Sequence, residues 1–147
     1  MSNSTFDHFP SLDDVRAGLS ELRRVLALGG ALVVTLDNGA NPVVALRNRL
    51  PLGALRRLRL VPHAVGATCR PRRFRRLLVE ADFAVLETRV AMHRPRLPAI
   101  AAERLLQRRP GEHECLLAAL GGFEALERLP TRSVTGYFVA ARCTSYA

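Results

Sequence analysis

The sequence predicts an α/β domain, and three observations carry that prediction. An amphipathic helical pattern runs directly into a paired-glycine turn and a short β-branched run. Patterned segments then follow in the order helix, strand, helix, strand, helices, strand, the alternation expected of a sheet covered by helices. The length of 147 residues, 48% of them apolar and 24% charged, suits a single domain over residues 1–147 with a core of its own.

Ser11-Leu12-Asp13-Asp14 opens the first helix. Ser11 is a favourable N-cap, and the two aspartates complement the positive end of the helix. Leu12, Val15, Leu19, Leu22, Val25 and Leu26 recur at three- and four-residue intervals and make one apolar stripe. Gly29-Gly30 ends the helix, because positive φ is easiest for glycine. Ala31-Leu32-Val33-Val34-Thr35-Leu36 follows, short and unalternating, and reads as a strand buried on both faces.

Asn38 to Pro42 reads as a turn-rich loop, and residues 43–60 as a helical stretch broken by Pro51 and Gly53. Pro71 opens another helix with Phe74, Leu77, Leu78 and Ala81 on its inner face, and residues 83–90 make the next strand. Helices are expected over Leu97–Arg108 and Glu114–Leu129, with a closing strand over Thr135–Arg142.

The net charge of +9 and the isoelectric point near 11.2 would by themselves point to nucleic acid. Yet all 22 basic residues are arginine and the sole isoleucine is Ile100, a usage that matches the codon bias of a GC-rich genome. The lack of lysine excludes Schiff-base chemistry, pyridoxal phosphate anchoring and a Walker-type phosphate loop. Cys69, Cys115 and Cys143 have neither zinc spacing nor the density of a disulfide scaffold. His63, His93 and His113 lack metal-ligand spacing too and read as surface or partly buried residues, so no metal is expected. Residues 1–5 lack the order of a signal peptide, and the apolar run Val25–Leu36 is shorter than the ~20 residues of a membrane span. A soluble, cytoplasmic protein without a membrane partner is expected.

Ser4-Thr5-Phe6-Asp7-His8-Phe9, the helix after it, and Leu26-Ala27-Leu28-Gly29-Gly30 leading into the strand resemble the second half of class I S-adenosylmethionine-dependent methyltransferases. Ala81-Asp82-Phe83 is similar to that family's Ala-Gly-Phe lead into its sixth strand, and Thr135-Gly136-Tyr137-Phe138-Val139 to its seventh. The resemblance implies the C-terminal part of a Rossmann-like seven-stranded sheet, with its last strand antiparallel and helices on both faces. Leu28 stands where the family usually has proline, and Ala27 where it usually has a basic residue. The Gly-rich cofactor loop and the acidic residue that ends the second strand have no counterpart here, which implies either a fragment or a truncated gene product, with very weak cofactor binding or none for these residues alone.

By resemblance, Asp7 and His8 follow the fourth strand beside the transferred methyl group, with His8 as general base on an acceptor hydroxyl. The residue chemistry alone equally allows Asp7 to start a turn and His8 to pack beneath Phe9. Ser4 and Thr5 are expected to touch S-adenosylmethionine through backbone groups, or to serve as strand-end turn formers. Asn38 and Asn41 lie at the carboxyl end of the buried strand, where open α/β sheets bind ligands, and are candidates to orient a substrate; Asn-Gly and Asn-Pro also form turns.

Ten arginines and no acidic residue fall between Arg47 and Arg76. Residues 43–76 thus form an Arg-rich segment, lid-like by resemblance, with one aromatic residue, Phe74, in its densest part. A solvated basic face is the commonest explanation of such a run, and the interspersed leucines also suit a membrane-surface helix. The implied function is methyl transfer from S-adenosylmethionine to a small-molecule acceptor, with homodimerisation through an exposed sheet edge. Nucleic acid is no partner in that reading. The alternative is a non-catalytic basic module that binds RNA or an acidic partner.

Overall fold

A computed structural model describes residues 6–51, 53, 57, 66–93 and 110–145. A 3-10 turn, Phe6–His8, leads into α1 (Leu12–Val25), β1 (Ala31–Asn38) and α2 (Pro42–Arg49). Next come β2 (Thr68–Cys69), α3 (Pro71–Glu80) and β3 (Phe83–Ala91). Helix α4 (Pro110–Gly122), a second 3-10 stretch (Phe123–Arg128), the short α5 (Arg132–Thr135) and β4 (Phe138–Ser145) complete the order. The helix expected over Leu97–Arg108 lies outside the described residues.

The four strands form one mixed sheet in the order β2-β1-β4-β3. The closing strand β4 is antiparallel to both neighbours, with Val34 opposite Ala141 on one side and Val90 opposite Val139 on the other. Strand β2 runs parallel to β1 and meets it only at Asp37 and Asn38. The architecture is therefore α/β, as the sequence predicts, with four strands among the described residues.

Local chemistry accounts for the elements. Ser11 caps α1 with its hydroxyl accepting from Asp14 N at 3.1 Å, while the Asp14 carboxylate accepts from Ser11 N at 3.0 Å. This reciprocal pair satisfies two of the backbone donors a helix start leaves over. The helix stops at Val25, and a turn closes by Gly30 N donating to Ala27 O at 2.8 Å. Gly29 sits at φ 71°, the left-handed conformation that a type II turn demands at its third position.

One face of the sheet carries the core. Val15 and Leu19 of α1 and Phe74, Leu77 and Leu78 of α3 pack on Leu32, Val34, Leu36, Val139, Ala141 and Cys143. The two helices adjoin: Arg23 Nε donates to Asp82 O at 3.2 Å, and Arg16 lies 3.8 Å from Glu80. Burial of one such aliphatic or aromatic side chain is worth about 1.5–3 kcal/mol, so this layer dominates the stability.

Two expectations need correction. Val25 is 64% exposed rather than part of the stripe, because ten residues at 100° each place it about 80° around α1 from Val15. Strand β1 is not buried on both faces along its length. It alternates, with Leu32, Val34 and Leu36 buried and Val33 and Thr35 half-buried, and only Asp37–Asn38 is enclosed on both sides. Among the described residues the two long helices cover one face, and α2 reaches the other only beside Asp37.

Candidate functional site

The carboxyl ends of β1 and β2, helix α2 and residues 131–137 converge on a polar cluster. Its centre is Arg47. The guanidinium donates from Nη2 to Asp37 Oδ2 at 2.5 Å, from Nη1 to the Tyr137 hydroxyl at 2.8 Å and from Nε to Asn48 Oδ1 at 3.2 Å. The Arg47 carbon Cζ lies 5.8 Å from the Tyr137 ring centroid. Asp37, Arg47 and Tyr137 are all buried, so these charge-assisted bonds act where water competes little.

Asn38 and Asn41, the candidates for substrate contact, are both buried and turned inward. The Asn38 amide donates to Ser133 O at 2.9 Å and Gly136 O at 2.8 Å, while its oxygen accepts from Ala40 N at 3.0 Å. Asn41 caps α2 by accepting from Val43 N at 2.9 Å, and its amide donates to Thr135 O at 2.9 Å. Both amides tie the end of β1 to the 131–136 segment. Sequence reading placed them at the right end of the strand; the structure gives them the work of shaping the loop.

His93 stands against this segment at the end of β3. It is 4% exposed, its Nδ1 lies 2.8 Å from Thr135 Oγ1, and its Nε2 has no hydrogen-bond partner among the described residues. The expectation of a surface or partly buried histidine is thus corrected: the backbone of Gly136 has no Cβ, and the ring packs against it.

The proposed catalytic pair lies on the Phe6–His8 turn. Phe6 is buried in the core, His8 is exposed, and Asp7 is described by its backbone alone. Phe9 O accepts from Ala67 N at 2.6 Å, which places the turn beside β2, near the carboxyl end of the sheet. Ser4 and Thr5 lie outside the described residues.

Gly39 N donates to Cys69 O at 3.0 Å, closing the β2 side. Burial pushes the Cys69 thiol up to about 11 against the opposing pull of Arg73, and burial does the same to Cys143. Among the described residues no three His, Cys, Asp or Glu side chains gather as a metal site, and no helix is long and apolar enough to cross a membrane.

Sequence reading missed Asp37, Arg47 and Tyr137 as a unit. Arg47 was one of many arginines, and nothing local distinguishes it from the exposed ones. No protein-family model matches the chain, and no curated protein does.

Proposed function

We infer that this chain is the carboxyl-side part of a class I S-adenosylmethionine-dependent methyltransferase domain acting on a small-molecule acceptor. The observation that carries the reading is the pairing inside the sheet. The last strand, β4, lies antiparallel between β1 and β3, and the helices α1 and α3 that precede β1 and β3 share one face. Asp82 adds support. It occupies the place of the family's glycine and holds φ 58°, a conformation glycine takes freely.

The described residues do not fit the cofactor itself. Gly29 and Gly30 precede a strand instead of following one, and Gly121 and Gly122 end α4, so neither pair forms the strand–glycine loop–helix cradle. What these residues offer lies on the acceptor side. The buried Asp37–Arg47–Tyr137 cluster holds the carboxyl end of β1, α2 and residue 137 in one fixed arrangement, on which an acceptor site could be built. His8 faces solvent on the neighbouring turn and would take the proton of an acceptor hydroxyl.

The test is transfer of tritium from methyl-labelled S-adenosylmethionine to low-mass acceptors, using the natural polypeptide that carries residues 1–147. Label in the small-molecule fraction is expected, falling about 100-fold or more in His8→Ala. No transfer to any fraction of a cell extract rejects the reading.

A further inference from the structure

Among the described residues the arginines are not distributed evenly between paired and unpaired states. Arg16, Arg24, Arg47 and Arg89 each lie within 4.0 Å of a carboxylate. On α3 the pattern reverses. Arg70, Arg72, Arg73, Arg75 and Arg76 stand within seven residues, all exposed, and none has a carboxylate partner among the described residues. Codon bias raises arginine everywhere; it does not by itself set five arginines without a carboxylate partner among the described residues within seven positions.

Two depressions border this helix and share Arg72. The larger, about 790 Å³, lies between α3, β3 and residues 127–133, and Arg128 and Arg132, also without a carboxylate partner among the described residues, add two more guanidiniums to its rim. The smaller, about 540 Å³, runs along α3 toward α1 and takes in Arg70, Arg73 and Arg76. Five arginines face two glutamates in the first, and five face one in the second. Glu87 is held by Arg89 at 2.5 Å and Glu80 lies 3.8 Å from Arg16, so two of these carboxylates are already engaged.

Among the described residues neither depression has an aromatic side chain in its lining, and Leu77 and Val90, the large aliphatics there, are buried or half-buried. Bases would find no aromatic ring to stack on, and Val79 is the one exposed aliphatic side chain α3 would offer a lipid bilayer among the described residues. Concave, strongly basic and without stacking groups, the surface suits a chain of phosphates. We propose that α3 with Arg128 and Arg132 binds the phosphodiester backbone of nucleic acid, independently of sequence and of the methyl-transfer reading. Affinity then follows phosphate density, so duplex binds more tightly than a single strand of the same length.

Fluorescence anisotropy with a labelled 20-base-pair duplex, the matching single strand and phosphatidylserine vesicles tests this. Four phosphate contacts predict a roughly 100-fold loss of duplex affinity between 50 and 200 mM salt. Arg72→Gln/Arg75→Gln is expected to weaken duplex binding about tenfold, whereas Arg24→Gln/Arg142→Gln, which removes equal charge elsewhere, changes it less than twofold. Equal losses in the two variants, tighter binding of the single strand, or binding to vesicles alone overturns the proposal. On the unaltered protein, duplex should shield the α3 arginines from phenylglyoxal; unchanged modification there overturns it as well.

Discussion

Arg47 Nη2 lies 2.5 Å from Asp37 Oδ2, with 9% and 6% of the two side chains exposed. Enclosing two charges is costly, and a pair of this kind holds only while both members remain. Arg47→Met should therefore destabilise the fold by about 3–5 kcal/mol, while Asp37→Leu/Arg47→Met recovers most of the loss. Urea unfolding of the single and double variants gives both values.

Gly136 is required by crowding. A Cβ there would stand 2.1 Å from Val90 Cγ1, 3.1 Å from Ala91 O and 3.2 Å from His93 Cε1. Gly136→Ala should cost about 1–3 kcal/mol, and adding Val90→Ala should relieve part of it. Thermal unfolding across the double-mutant cycle measures the coupling.

Asp82 and Gly29 are at φ 58° and 71°, yet only one of them is glycine. Asp82→Gly should stabilise by about 0.5–1 kcal/mol, since relief of left-handed strain exceeds the added chain entropy. Gly29→Ala should destabilise by about 1 kcal/mol for the converse reason. Midpoints moving in opposite directions in denaturant are the expected result.

Cys69 and Cys143 ionise near 11 in the fold, raised by burial from 9.0. The unfolded chain releases these protons first, so between pH 9 and 11 it binds fewer protons than the folded state. Stability accordingly falls as pH rises through that window and is unaffected by these thiols below it. At pH 8 a thiol reagent should modify exposed Cys115 rapidly and the other two only after unfolding, as mass spectrometry of the labelled protein would show.

Elements with strong local signals were legible in the sequence. The Ser11 cap, the Val15–Leu19–Leu22 stripe and the inner face Phe74–Leu77–Leu78 all stand where periodicity places them. Strand β2 was not legible, because two residues carry no period and their pairing to β1 depends on tertiary contact. The closing strand begins at Phe138 rather than Thr135, since residues 132–135 make a helical turn whose carbonyls receive the Asn38 and Asn41 amides. Asn41 caps α2 instead of continuing a loop, and Pro42 behind it suits a first helical turn. The Asp37–Arg47–Tyr137 cluster joins residues up to 100 positions apart in sequence, and no local spacing encodes such a meeting.

The methyltransferase reading meets its most direct test in calorimetry of S-adenosylhomocysteine against the natural polypeptide carrying residues 1–147. Saturable binding at micromolar concentration is the predicted result. A flat titration at millimolar ligand, with the protein folded by circular dichroism, would contradict it.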